Sequence, residues 1–238
     1  MTVDASGNNV LVIGGSRGIG AAIVRRFAGG GAKVAFTYAS SEAAARALAA
    51  EVGADAIKAD SADRDAVIGV VASRGALDVL VVNAGVIVLG DARSLDAEAV
   101  DRLIDVNVRT PYHAAVEAAK HMNPNGRIIL IGSVNADRIP FAGAAAYALS
   151  KAALQGMARG LARDFGAQGI TVNVVQPGPV DTDMNPADGP MKDTMHSFMA
   201  IKRHARADEV AAMVAYLASP DAAMVTGAMH TIDGGFGA

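Results

Sequence analysis

The stretch Val10–Phe27, VLVIGGSRGIGAAIVRRF, carries three signals in succession. Val10 to Ile13 are apolar at consecutive positions, as a strand buried on both faces requires. Gly14, Gly18 and Gly20 follow with the spacing G-x-x-x-G-x-G. Apolar residues then recur at helical intervals up to Phe27. Glycines at such a turn let the chain reverse tightly and let a pyrophosphate approach the backbone at the positive end of a helix. Glycine-rich turns are common, so the spacing alone says little. Its position between a strand and a helix marks it as a dinucleotide-binding turn.

The same alternation runs outward from this unit. Strands are predicted at 10–14, 33–38, 55–59, 77–83, 127–133, 170–176 and 228–233. Helices are predicted near 18–29, 41–52, 63–73, 96–122, 146–166 and 207–218. Strand–helix alternation implies right-handed crossovers. The fold class is therefore α/β: a single-domain Rossmann fold over 1–238, with a doubly wound seven-stranded parallel sheet and helices on both faces. No internal repeat interrupts it. The one long irregular segment, 177–206, is rich in Pro, Met and Asp, and its length suggests a lid over about 183–206.

Bulk composition narrows the function. Hydrophobic residues make up 52% of the 238 and aromatics only 4%, which suits buried parallel strands under closely packed helices. A formal net charge of −3 argues against nucleic acid or an anionic membrane as partner. The absence of cysteine removes disulfides and thiolate chemistry. MTVDASGNN shows no targeting pattern, and no apolar run has membrane-spanning length. The reading is a soluble cytoplasmic protein. Five scattered histidines make no metal pattern, and no metal site is expected.

Ala144–Leu154, AAAYALSKAAL, places Tyr147 and Lys151 four apart on a good helix former, hence on one face. An ammonium near a phenol favours the phenolate, and such a pair can exchange a proton near neutral pH. The alternative is a groove-filling tyrosine beside a snorkelling lysine. After the second strand the chain reads FTYASSE, with no carboxylate before Glu42 to take ribose hydroxyls. Thr37, Ser40 and Ser41 are neutral, and Arg17 inside the glycine loop can pair with a 2′-phosphate. This favours NADP over NAD. The alternative for Arg17 is a solvated loop charge.

Taken together, these residues resemble the short-chain dehydrogenase/reductase family over nearly the whole chain. VNAG (Val82 to Gly85) is similar to the family's Asn-Asn-Ala-Gly, with valine in the first place. Ile13 stands where threonine is frequent. Asn107 in DVNVRTPY, Ser133 at the end of IILIGS, 14 residues before Tyr147, PGPVDTDM and TGAMHTIDGG complete the resemblance. It implies catalysis by Asn107, Ser133, Tyr147 and Lys151. Tyr147 would be the general acid in reduction and the base in oxidation. Lys151 would lower its pKa and hold nicotinamide ribose hydroxyls. Ser133 would bind the substrate oxygen, and Asn107 would help hold a proton-relaying water. The resemblance also implies NADP(H) along Gly14, Ser16, Arg17, Gly18, Ile19 and Gly20, then Tyr38, Ser40, Ser41, Asp60 and Ser61. It continues along Asn83, Ala84, Gly85, Tyr147, Lys151, Pro177, Gly178, Val180 and Thr182. A small carbonyl or alcohol substrate and a homodimer or homotetramer, paired through the helix of Tyr147, follow from the same resemblance.

Several residues keep a second reading. Ser133 can cap the next turn, Asn107 can be a satisfied amide in a helix kink, Asn83 can hold its own loop, and Asp60 or Ser61 can cap a helix. Met184, Met191, Met195 and Met199 would make the lid side of a pocket apolar and adaptable, though Met195 and Met199 can equally pack on the body. Segments such as VVQPGPVDTDMNPADGPM and MHSFMAIKRH resemble, more narrowly, a bacterial branch described as cyclic-di-GMP-binding biofilm-dispersal proteins. That branch makes cyclic-di-GMP a second candidate ligand. The basic cluster IKRHAR (201–206), the Arg-x-x-Asp pattern RLID (102–105) and the Arg-x-x-x-Arg pattern RGLAR (159–163) are the stretches such a ligand would use; the alternatives are a solvated loop for the first and routine exposed helix charges for the other two.

Overall fold

Residues 4–238 are described by the computed structural model, so Met1–Val3 of the N-terminal stretch lie outside the described residues. Seven strands form one parallel sheet: β1 (Asn9–Ile13), β2 (Lys33–Tyr38), β3 (Asp55–Lys58), β4 (Val79–Val82), β5 (Arg127–Ile131), β6 (Thr171–Pro177) and β7 (Met229–Ile232). Their order is β3-β2-β1-β4-β5-β6-β7. β4, β5 and β6 are buried at every position, matching the unbroken apolar runs of β4 and Ile128–Ile131, while β6 also buries Asn173 and Gln176. Side chains alternate between two cores. Val10 and Val12 face one with α1 (Gly18–Gly29), α2 (Glu42–Val52) and α8 (Ala207–Ala218). Leu11 and Ile13 face the other with α3 (Arg64–Ser73), α5 (Thr110–Ala119) and α6 (Ala145–Phe165). The expected doubly wound fold is what the chain forms.

Two expectations need correction. The helix predicted over 96–122 is broken into α4 (Ala97–Ile104), a π turn (Asp105–Arg109) and α5. Pro111, at the start of α5, lacks the N–H that a regular helix would aim at the Asn107 carbonyl. The helix cap after β3 is Asp63, which accepts from the amides of Asp65 and Ala66, rather than Asp60 or Ser61. The segment read as irregular also contains a short helix, α7 (Lys192–Phe198). Among the described residues no helix is long and apolar enough to cross a membrane.

The strand order reverses between β1 and β4, and a crevice opens there beyond the carboxyl ends of the strands. Closure of that junction depends on small residues. A Cβ on Gly20 would stand 2.1 Å from the Gly14 carbonyl oxygen and 2.6 Å from the Asn83 amide nitrogen. Gly20→Ala therefore overpacks the junction and should destabilise the protein by about 1–3 kcal/mol in urea unfolding. Gly69→Ala, in a helix with open space around it, should instead stabilise by up to ~1 kcal/mol. Similar effects at both sites would remove the packing argument.

Candidate active site

The crevice is a cavity of about 670 Å³, walled by the loops after β1, β2, β3, β4, β5 and β6. In the glycine loop Gly14 has φ +81°, a conformation that favours glycine, and a Cβ there would meet Ala84 Cα at 2.7 Å. The Gly14 amide donates to Thr37 Oγ1 at 2.9 Å, and the Gly15 amide to the Thr37 carbonyl at 2.9 Å. Asn83 Nδ2 donates to the Gly14 carbonyl at 2.7 Å. Thr37 is thus committed to holding the loop, and Asn83 holds the glycine loop rather than its own. Gly15 escaped the motif reading. Its reason is distant in sequence, since a Cβ there would lie 2.5 Å from Phe36 Cβ.

The floor beyond the glycine loop is polar. Arg17, Tyr38, Ser40, Ser41, Asp60 and Ser61 all line it. Arg17 lies 3.5 Å from Asp183 across the cavity, with both side chains largely in solvent, so this pair contributes little stability. Asp60 accepts from the Ala62 amide at 2.9 Å and pairs with Arg102 at 3.1 Å. The amide first, and then the guanidinium, hold its carboxyl below the usual range. Arg102 and Asp183 are wall residues that the sequence placed only within the RLID and PGPVDTDM stretches, with no role beside the glycine loop. Only a partner remote in sequence marks either of them.

Across the cavity, α6 brings Tyr147 and Lys151 onto the wall together. Lys151 is 5% exposed. Its Nζ donates to the Ile131 carbonyl at 3.0 Å and lies 5.9 Å from the Tyr147 ring centroid. Gly85 leaves room for it, since a Cβ there would come within 3.3 Å of Nζ. Burial lowers the Lys151 ammonium to about 8. Burial pushes the Tyr147 phenol up, and a hydrogen bond with Ser133 draws it partly back. The expectation that Lys151 sets Tyr147 below its ordinary value is therefore corrected: desolvation is the larger effect on both groups.

Ser133 takes its capping role on the turn Val134–Ala136, accepting from the Asn135 amide at 3.2 Å, and also contacts Tyr147. Asn107 is buried behind the wall in the π turn. It accepts from the Val86 amide at 2.9 Å and donates to the Val86 carbonyl at 2.9 Å and to Ser150 Oγ at 3.0 Å. Asn107 thus holds the loop after β4 against α6. Of the residues expected at the site, Asn107, Ser133 and Gly20 stand behind the wall, and the others line it. Those others are Gly14, Ser16, Arg17, Gly18, Ile19, Tyr38, Ser40, Ser41, Asp60, Ser61, Asn83, Ala84, Gly85, Tyr147, Lys151, Pro177, Gly178, Val180 and Thr182.

The segment between β6 and α8 is stitched at its base. The amide of Asp181 donates to the Ala205 carbonyl, and that of Ala205 to the Pro179 carbonyl, each at 2.9 Å. Arg203 pairs with Glu209 at 2.7 Å, and Glu209 is lowered to about 2 by Arg203 first and the Arg206 amide next. Arg206 also pairs with Asp208 at 2.9 Å, and Lys202 donates to the Ser197 carbonyl. The IKRHAR charges are thus engaged within the chain. Met195 faces the cavity, whereas Met199 packs on the body with Val134 and Phe236. Among the described residues no group of three or more His, Asp or Glu side chains is arranged to hold a metal.

Comparison with known proteins sets this geometry in context. A family model described as enoyl-(acyl carrier protein) reductase matches residues 13–237. The chain is 67% identical to the cyclic-di-GMP-binding biofilm dispersal mediator protein of Escherichia coli K12, over 98% of each. It superposes with a TM-score of 0.97 on BdcA crystallised with NADPH, at 67% identity and covering 98% of this chain and 96% of that one. It superposes equally well, 0.97, on a short chain dehydrogenase from Burkholderia cenocepacia J2315 crystallised with NADP, at 48% identity and covering 99% and 100%.

The buried ammonium makes a pH-dependent prediction. The folded pKa of Lys151 lies below its unfolded value, so the unfolded chain holds the extra proton between about pH 8 and 10.5. Stability of the natural protein rises with pH through that window. The drop is worth on the order of 3 kcal/mol. Urea unfolding of the natural protein and of Lys151→Met should therefore converge as pH rises, with the methionine variant favoured near pH 7. A stability difference that does not change with pH would contradict the buried charge.

Proposed function

The chain belongs to the short-chain dehydrogenase/reductase family, and on that premise we propose that it is an NADP(H)-dependent reductase of a ketone or aldehyde. One observation carries the reading. Tyr147 and the buried Lys151 line the same cavity whose far end is the glycine loop with Arg17, and Ser133, the hydrogen-bond partner of Tyr147, stands just behind that wall. A cradle that a Cβ would fill, at Gly14 against Ala84, fits a dinucleotide backbone. Relatives crystallised with NADPH or NADP support the phosphorylated cofactor.

In this reading the hydride comes from NADPH when it is bound. Tyr147 gives its phenolic proton to the carbonyl oxygen. The Ser133 hydroxyl donates to the same oxygen and steadies its developing charge. The Lys151 ammonium faces the phenolate left behind and, with a pKa of about 8, is mostly protonated at neutral pH. Asn107 acts through Val86, keeping the loop after β4 at the correct distance from α6. Arg17 exchanges Asp183 for a 2′-phosphate.

A second reading follows from the name of the 67% identical relative: a protein that binds cyclic-di-GMP or NADP(H) with little turnover. A cyclic dinucleotide carries two phosphates and calls for free cations. Arg102 is paired with Asp60 and the IKRHAR arginines with Glu209 and Asp208, which favours the enzyme. The chain also presents α6 for a second copy, with Leu149 61% exposed and open space over Gly156 and Gly160. This supports a homodimer or homotetramer, and light scattering should return such a mass. A monomer would remove that inference.

The deciding assay follows NADPH and NADH oxidation over ketones, aldehydes, quinones and 3-oxoacyl thioesters. Turnover should prefer NADPH and fall by at least about 100-fold in Tyr147→Phe, with NADPH affinity retained. In Arg17→Ala the loss of affinity should be much greater for NADPH than for NADH. Turnover retained without the phenol would sink the mechanism, and equal losses would sink the role of Arg17. Silence across the panel with tight cyclic-di-GMP binding would favour the second reading.

A further inference from the structure

The charged groups of the cavity wall are few and mostly paired. The charged groups in its wall are Arg17, Asp60, Arg102, Lys151 and Asp183. Arg17 and Asp183 face each other, Asp60 and Arg102 face each other, and Lys151 donates to the Ile131 carbonyl. Lys151 is the lining cation without a carboxylate beside it, and it stands at the reacting end with Tyr147, so among the lining residues no cation is left to meet a carboxylate or phosphate at the far end of a substrate, and burying an unpaired charge is strongly unfavourable. The uncharged wall is mostly apolar, with Asn83, Asn135 and Asn185 as its amides. Leu89, Val134, Phe141, Met184, Met191 and Phe236 all line the cavity. Three of them stay open to solvent at its rim: Leu89 is 51% exposed, Met184 62% and Met191 45%. Such a rim comes from two separate segments and marks an apolar ligand surface.

The two sides of this channel differ in stiffness. Phe236 is 2% exposed and meets Phe198 edge-on, with ring centroids 5.7 Å apart. Its carbonyl accepts from Arg138 Nη1 at 2.6 Å. The Asp233 carboxylate takes the Gly235 amide at 2.9 Å and the Gly237 amide at 2.7 Å, which fixes the segment carrying Phe236. The opposite side is methionine, whose unbranched side chain adapts to what it covers.

We propose that the carbonyl substrate is neutral, elongated and apolar, and that Phe236, held by Arg138 and Asp233, is the fixed wall that selects it. The inference rests on the reductase reading for the position of the carbonyl oxygen. Its apolar chain runs from Tyr147 between the Phe236 ring and the lid methionines towards the rim.

The test uses three ketones: 2-octanone, 7-oxooctanoate, which replaces its terminal methyl by a carboxylate, and 2-butanone, which lacks the long chain. Calorimetry on NADP+-saturated protein reads binding where no hydride is available, and NADPH oxidation reads turnover separately. 2-Octanone should bind at least about tenfold more tightly than either comparison ketone, since each buried methylene is worth roughly a factor of four. Phe236→Ala should reduce that preference severalfold, and Phe236→Leu should retain most of it. Equal binding of the three ketones, or preference for 7-oxooctanoate, would overturn the proposal. A preference for 2-octanone without NADPH oxidation would support the apolar channel and defeat the reductase reading alone.

Discussion

An ammonium buried without a carboxylate beside it is the constraint around which this structure is arranged. Lys151 gives one hydrogen bond, to the Ile131 carbonyl at the end of β5, and burial holds its pKa down to about 8. A fold that only had to be stable would place an apolar side chain there. Several neighbours are shaped by its presence. Gly85 has no side chain because a Cβ would crowd Nζ, and Asn107 stands within reach of the same spot to pin the loop after β4. Tyr147 shares the low-dielectric environment, so its phenol is pushed the opposite way. A neutral phenol beside a reluctant ammonium is a state from which a proton leaves only when charge develops elsewhere, such as on a carbonyl oxygen.

The junction between β1 and β4 brings the second half of the site to that lysine. Gly14 and Ala84 approach too closely for a side chain, and Gly20 packs on the Gly14 carbonyl. Asn83 ties the two loops together. The crevice is consequently bounded by close-packed backbone at the glycine loop and by Met184, Met191 and Met195 at the segment after β6. The stiff end is built of backbone and glycine, the adaptable end of methionine. A ligand with an invariant polar half and a variable apolar half matches that gradient.

Much of this was legible because local chemistry and tertiary role agree. Consecutive apolar residues in β4 and β5 read as strands buried on both faces, and they are buried throughout. The spacing of Tyr147 and Lys151 on a strong helix former put them on one face, and α6 delivers both to the cavity. What escaped reading depends on partners remote in sequence. Thr37 looked like a free hydroxyl near the ribose, but the Gly14 amide claims it across β1 and β2. Arg102 looked like an exposed helix charge, and Asp60 takes it from the end of β3. The break at Asp105–Arg109 did have a local signal in Pro111, outweighed by the helical pattern on either side. The direction of the Tyr147 shift was missed for another reason: sequence gives the neighbour but not the depth of burial, and here depth is the larger effect.

Pairing of the surface charges bears on which kind of ligand this cavity evolved to hold. Arginines that await phosphates are usually left free or held weakly. Arg203 instead makes two bonds to Glu209, which joins the segment before α8 to its first turn. Arg17 is different, with an Asp183 contact at 3.5 Å between two solvent-rich side chains. A contact of that kind is easily exchanged for a phosphate. The one cation in the wall that is cheaply released is thus the one beside the glycine loop, where a dinucleotide's 2′-phosphate would lie. The electrostatics of the cavity favour one phosphorylated ligand at one end and an uncharged partner at the other.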